Sequence, residues 1–175
     1  MSTYDLIIIG AGPAGITAAI YAARKKLQTL VISGNVGGQA LLSSDISNYP
    51  SYQFISGSEL GRKFAEHLAI FPEVVHKDGE TVRSLSRNAN GSFTVRTRRG
   101  SFKARSLVIA SGAKPRTLGV PGETEFIGKG VFYCAVCDAP LMKNKVAAVI
   151  GGGNSAMDAA LQLEKIARKT IYLGQ

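Results

Sequence analysis

Tyr4-Asp5-Leu6-Ile7-Ile8-Ile9-Gly10-Ala11-Gly12-Pro13-Ala14-Gly15-Ile16 is the stretch that decides the fold of this chain. Tyr4 to Ile9 is an apolar run rich in β-branched residues, the pattern of a strand covered on both faces. It enters a glycine loop directly, and Ile16, Ala19, Ile20 and Ala23 then recur at helical spacing. Arg24-Lys25-Lys26 closes that helix with cations at its negative end. Thr29 to Ile32 is a second apolar strand. In such a unit Gly10 makes the tight turn, Gly12 lets a pyrophosphate reach the backbone, and Gly15 lets helix and strand close up. With Pro13 and Ala14, the helix start supplies free N–H groups for phosphate. A merely tight turn is the competing reading, and the flanking strand and helix select dinucleotide binding over it. The carboxylate that should hold a ribose hydroxyl would fall near Ser33, where the sequence has no Asp or Glu nearby. Ser33 or a backbone carbonyl is expected to substitute.

Beyond this unit, residues 33–57 lack periodicity, and a loop of that length usually carries function. Leu60, Phe64 and Leu68 mark an amphipathic helix over 58–71. Short strands are predicted at 74–75, 81–85, 92–97, 101–104 and 107–110, with turns at Asn90-Gly91 and Arg99-Gly100. Pro115, Gly119, Pro121 and Gly122 make 115–122 a linker between a first domain (1–114) and a second (123–175). Lys145 to Ile150 then repeats the opening theme. It is followed by Gly151-Gly152-Gly153-Asn154-Ser155-Ala156, a helix over 155–167 and a strand over 170–173. The fold class is therefore α/β, with two copies of one strand–loop–helix–strand unit about 140 residues apart.

Composition closes several alternatives. With 175 residues, 45% of them hydrophobic, the chain can bury a core. Two Cys and two His exclude a disulfide-scaffolded module, and His67 and His76 stand too far apart for a zinc finger, so no metal is expected. The net charge of +9 comes from the stretch Arg83 to Arg116, which has basic residues and no acidic ones. Arg96, Arg98, Arg99, Lys103 and Arg105 fall on or beside a hairpin, where charge deters strand-to-strand pairing. An acidic protein partner is the competing reading, and neither nucleic acid nor membrane is expected as a partner. The run Leu6 to Ala23 has no preceding basic residue and is interrupted by Gly10, Gly12, Pro13 and Gly15, so it reads as neither leader nor span. A soluble, cytoplasmic protein is expected.

Cys134-Ala135-Val136-Cys137-Asp138 carries the richest chemistry. Two sulfurs at this spacing can cycle between disulfide and dithiol, and a reducing compartment favours a working pair over a structural one. Asp138 beside the second sulfur can exchange the accompanying proton. Two buried cysteines packing as small hydrophobes, or half a zinc site completed by another chain, are the alternatives. In the second glycine loop, Gly151, Gly153 and Ala156 follow the same scheme with Ala in the third place, which should hold helix and strand slightly apart. Gly174 and Gln175 stand where a 2′-phosphate would be distinguished from a hydroxyl, and they indicate no preference.

Taken together, these motifs resemble the low-molecular-weight thioredoxin reductase family, which includes the flavoprotein subunit of alkyl hydroperoxide reductase. Gly37-Gly38-Gln39, Ile46-Ser47-Asn48-Tyr49-Pro50, Ala110-Ser111-Gly112-Ala113 and Val120-Pro121-Gly122-Glu123 extend the match. The resemblance implies tandem Rossmann-like FAD- and NAD(P)-binding domains, the first a three-layer ββα domain and the second incomplete here. It implies that Gly10, Gly12, Pro13, Ala14, Gly15, Ser33, Gly34 and Val82 hold the FAD nucleotide. Gly37, Gly38, Gln39, Asn48, Ala110, Ser111 and Gly112 would line the flavin. Gly151, Gly153, Asn154, Ser155 and Ala156 would bind NADPH or NADH. Electrons would pass from the nicotinamide through FAD to Cys134–Cys137 and on to a thioredoxin-like protein. Cys137 would face the flavin, Cys134 would attack the partner, and Asp138 would protonate the departing thiolate; the family commonly dimerises.

Three features depart from the family pattern, one of them Gly174-Gln175, which does not reproduce the basic pair that reads NADPH. Ala139 stands where the family usually has Gly, so a strained positive-φ backbone is expected there. The chain also ends after one strand–helix–strand unit of the second domain, without the family's second FAD-binding segment. It thus reads as a fragment of a longer enzyme or as half of one completed in trans. An inactive nucleotide-binding remnant is one competing function. An electron donor to a peroxiredoxin is another; the first strand begins near Tyr4, so an N-terminal redox domain would have to be a separate protein.

Overall fold

The computed structural model describes residues 3–174. The chain divides into two compact units, Met1–Leu41 with Gly57–Lys114, and Leu42–Ser56 with Pro115–Gln175. The first unit holds six strands: β1 (Thr3–Ala11), β2 (Thr29–Val36), β3 (Val74–Lys77), β4 (Val82–Arg87), β5 (Phe93–Thr97) and β6 (Ser101–Ile109). Its helices are α1 (Pro13–Arg24) and α2 (Gly57–Ala69). The strands form one mixed sheet in the order β3-β2-β1-β6-β5-β4. Pairing is parallel across β3, β2, β1 and β6, and antiparallel across β6, β5 and β4.

Burial explains why β1 reads as an unbroken apolar run. Ile8 joins Ala19, Ala23 and Leu68 in the core on the helix side. Ile7 points the other way, into a core with Leu30, Ile32, Val95 and Ala104. Both faces of the central strands are thus covered, by the helices on one side and by β5 and β6 on the other. The strands predicted at 101–104 and 107–110 are one continuous strand, β6. β1 pairs with it from Lys103 to Ile109 and β5 only from Ser101 to Ala104, so the apparent gap at Arg105-Ser106 is where the β5 pairing ends and not a turn. β4 is the sheet edge, and Arg83 and Arg87 on it are exposed.

The second unit contains α3 (Ala135–Asp138), β7 (Val146–Ile150), α4 (Asn154–Glu164) and β8 (Lys169–Leu173). β7 and β8 pair in parallel as a two-stranded sheet. Its core is small: Ala139, Ala147, Val149 and Leu163. α4 ends before the predicted limit at 167, because Lys145 begins to take up the chain: its carbonyl accepts the Arg168 N–H at 2.9 Å, leading into β8. In the same unit Ile46 and Ile55 are buried and exchange backbone hydrogen bonds of 2.9 and 3.0 Å, which closes the segment between them into a loop. No helix among the described residues is long and apolar enough to cross a membrane.

Candidate functional site

The first glycine loop is constrained from two sides. A Cβ on Gly15 would collide with the Gly10 carbonyl, and one on Gly10, which has φ +104°, with the Ala110 carbonyl. Gly12 differs: a Cβ there would meet only the Gly38 Cα, at 3.9 Å. The protein thus requires Gly10 and Gly15 for its own packing, whereas Gly12 leaves a gap that a side chain would fill. Gly12 also begins α1, with Pro13 in the first turn and no side chain capping it, which leaves N–H groups of the helix start for an anion. These residues fit a dinucleotide pyrophosphate.

Around this loop the structure gathers many of the predicted residues. Ala110 N–H donates to the Ile9 carbonyl at 2.8 Å, and Gly37 N–H to the Ala11 carbonyl at 2.9 Å. The Gln39 side-chain amide donates to the Ala113 carbonyl. Ser111 and Gly112 are exposed just beyond β6. Asn48, also exposed, lies in the second unit rather than the first. Ser33 is buried at 4% exposure, and its hydroxyl lies 2.9 Å from His76 Nε2. Burial holds the His76 imidazole below its ordinary range, opposed by the charge of Asp78.

The sequence suggested no carboxyl near Ser33, but folding brings one close. Glu80 N–H donates to the Ser33 carbonyl at 2.8 Å. Its buried carboxylate is occupied by the Thr97 hydroxyl. Thr81 lies beside Gly34, with its methyl 3.5 Å from where a Gly34 Cβ would be, and Val82 starts β4 half-buried. The pairing of β3 with β2 assembles this group, and no local pattern announces it.

In the second unit Cys134 and Cys137 form a disulfide with their Cα atoms 5.3 Å apart. Cys137 N–H donates to Cys134 Sγ at 3.3 Å, so the pair spans a single helical turn. Both cysteines are half-buried, and Val136 between them is 64% exposed, so the turn faces outward. Asp138 follows at 6% exposure. Burial pushes its carboxyl above the usual carboxylate range. The Cys134 backbone N–H and the Ser43 hydroxyl, where they donate to it, act in the opposite sense, and the charge of Asp45 adds to the rise. Ala139 is not strained: its φ of −54° is right-handed helical, because the chain passes from α3 directly into another helical turn over Ala139–Met142. Ala there fills the core at 2% exposure, where Gly would leave a gap.

The segment 115–123, within the second unit, has its own anchor. Glu123 accepts the Leu118 and Gly119 N–H groups at 2.9 and 2.7 Å and the Tyr133 hydroxyl at 2.7 Å. The Tyr133 bond, first among its contacts, holds the Glu123 carboxyl below its ordinary range and raises the Tyr133 phenol. Downstream, Gly153 begins α4 with no capping side chain and nothing within 4 Å of a Cβ placed on it. Asn154, Ser155 and Ala156 form the first turn of α4. Gly174 is exposed, and Gln175 lies outside the described residues.

Residues 4–174 match the family model described as pyridine nucleotide-disulphide oxidoreductase. The chain belongs to that family. It is 44% identical over 174 residues to the thioredoxin reductase of Bacillus subtilis, covering 97% of this chain and 53% of the relative. To an alkyl hydroperoxide reductase component of Pseudomonas aeruginosa it is 42% identical, covering 97% of this chain and 33% of the relative. The solved thioredoxin reductase of Streptococcus pyogenes superposes with a TM-score of 0.89 at 43% identity, over 97% of this chain and 55% of that one. The chain therefore spans about half the length, or less, of these relatives.

Proposed function

We propose that this chain is the flavin-binding and disulfide-bearing part of a reductase that draws electrons from NADPH or NADH and delivers them to the disulfide of a thioredoxin-like protein. The observation that carries this reading is the closed Cys134–Cys137 pair on an outward turn, followed at once by a buried carboxyl whose proton affinity burial raises. Bound FAD would supply a two-electron carrier between a reduced pyridine nucleotide and a disulfide. Gly10, Gly12, Pro13, Ala14 and Gly15 would hold its pyrophosphate, with Ser33, Gly34 and Val82 at the adenosine end. Gly37, Gly38, Gln39, Asn48, Ala110, Ser111 and Gly112 would lie along the flavin. Gly151, Gly153, Asn154, Ser155 and Ala156 would take the phosphates of the pyridine nucleotide.

At the sulfurs, two electrons cleave the Cys134–Cys137 bond, and Asp138 gives a proton to one of the two thiolates formed. The Cys134 thiolate then attacks the partner's disulfide, which expels one partner thiolate and forms a mixed disulfide. Cys137 resolves it, restoring the internal bond and releasing the partner as a dithiol. A cytoplasmic homodimer is the form we assign to the working protein, a reducing compartment being where such a pair is used. The Pseudomonas relative supports a second reading, in which the acceptor belongs to a peroxide-reducing system.

The test is to load the purified protein with FAD and follow NADPH- or NADH-dependent reduction of thioredoxin-like and peroxiredoxin disulfides. Flavin absorbance together with disulfide reduction supports the proposal, and the better acceptor separates its two versions. A protein that stays colourless with added FAD contradicts it.

A further inference from the structure

Tyr133 stands immediately before Cys134, and its place in the chain is set by its side chain rather than its backbone. Among the described residues, neither Phe132 nor Tyr133 makes a backbone–backbone hydrogen bond. The chain on either side is well bonded. Before them, Phe126 N–H donates to the Gly122 carbonyl and Gly128 N–H to the Val131 carbonyl, both at 3.0 Å. After them α3 begins, with Asp138 N–H donating to the Cys134 carbonyl at 2.9 Å. Across this interval the tie is the Tyr133 hydroxyl, which donates to Glu123 Oε1 at 2.7 Å.

Glu123 is a fixed post for that tie. It is 6% exposed, its Oε1 also accepts the Leu118 N–H at 2.9 Å, and its Oε2 accepts the Gly119 N–H at 2.7 Å. Bonds to an ionised carboxylate are about twice as strong as neutral ones. The tyrosine side chain is a rigid ring with two rotatable angles, so fixing its tip fixes its backbone closely. All of these residues lie in the second unit, with Cys134 and Cys137. Cys137 sits inside α3, whereas Cys134 is the extended residue that caps it. The sulfur with the freer backbone is therefore the one next to the tie.

We infer that Glu123 and Tyr133 are positioning residues that hold Cys134 within reach of Cys137 when their bond is open, so that the pair closes again readily. The bond between phenol and carboxylate involves neither sulfur, so it persists in the dithiol. A dithiol already restrained loses less chain freedom on closing, which raises the effective concentration of one sulfur at the other. The restraint thus favours the disulfide over the dithiol. This inference rests on the proposed function only in taking the pair to cycle between the two states.

The test is the equilibrium of the chain with glutathione, which needs neither flavin nor a protein partner. One glutathione disulfide and the protein dithiol give the protein disulfide and two glutathiones, and alkylation with mass spectrometry counts each form. Tyr133→Phe, which keeps the ring, should shift the constant toward the dithiol about fivefold, the scale of one residue's backbone freedom. Tyr172→Phe, which removes an exposed hydroxyl on β8, should leave it at the wild-type value. Glu123→Ala should shift it in the same direction as Tyr133→Phe. Adding Tyr133→Phe to Glu123→Ala should shift it no further, since both act through one contact. Tyr133→Phe decides the inference even if Glu123→Ala does not fold. A constant unchanged or moved toward the disulfide in folded Tyr133→Phe overturns it, as does a double variant whose shift is the product of the two single ones. Failure of the functional proposal would look different: the expected shifts in glutathione, in a protein whose disulfide takes no electrons from reduced flavin.

Discussion

The two glycine loops share one pattern and are held by different walls. In the first, the third position must be glycine, because any Cβ on Gly15 strikes the Gly10 carbonyl. In the second, Ala156 occupies that place, and its Cβ lies 3.4 Å from where a Gly151 Cβ would be, an ordinary contact. The sheets behind them differ in the same sense. The first loop sits on six strands whose central residues Ile7, Ile8, Leu30 and Val31 are fully buried. The second sits on two strands on which Ile150 and Leu173 are about half exposed, at 50% and 51%. A two-stranded sheet with one small core is marginal by itself. The first loop is thus backed by a broad, fully buried sheet, while the second is backed by a small and partly exposed one; the function we propose puts the cofactor on the former and the disulfide chemistry in the second unit.

That division is easiest to break at the sulfurs. Cys134→Ser should lower disulfide reduction by about a thousandfold or more, as loss of a nucleophile does, while FAD stays bound to the first unit at wild-type stoichiometry. Turnover assays and the flavin spectrum check both halves of the statement. Asp138→Asn should reduce the same turnover by about a hundredfold, the scale of a lost general acid, again with the flavin retained.

Two glycine substitutions sharpen the contrast between the walls. Gly15→Ala should destabilise the first unit by about 1–3 kcal/mol through forced backbone displacement. Gly153→Ala, with open space around it, should change stability by about 1 kcal/mol or less. Urea unfolding of the two variants measures the difference. Amide hydrogen exchange gives the same comparison without mutation: β1 and β2 should be strongly protected, and β7 and β8 should exchange much sooner.

Much of this was legible in the residues because it rests on local periodicity. The run from Tyr4 to Ile9, the glycine spacing and the Cys134–Cys137 pair each declare themselves within a few residues. What could not be read was assembled from distant segments. Nothing in the sequence joins Ser33 to His76, which meet because β3 pairs with β2. Nothing joins Ser43 to Asp138. The reading of Ala139 as strained failed because family habit was applied to a backbone that here continues in helical turns. The split of β6 failed because the polar pair Arg105-Ser106, where the pairing with β5 ends, interrupts the apolar pattern of a strand that runs on along β1.

The smallest expected effect is at His76. Its folded-state proton affinity is lowered, mainly by burial, so the unfolded chain binds a proton there more readily than the folded one. Stability is therefore fully present above the ordinary imidazole range and falls as pH drops through it. His76→Phe should flatten that slope in unfolding curves taken from neutral pH down to about pH 5.

The central claim is that the Cys134–Cys137 bond is a carrier of electrons and not a fixed staple. The most direct measurement reduces the flavin of the FAD-loaded protein anaerobically by light and counts alkylated cysteines by mass spectrometry, with flavin-free protein as control. Modification of both Cys134 and Cys137 only when flavin is present is the predicted result. A disulfide that stays intact beside fully reduced flavin would contradict the account.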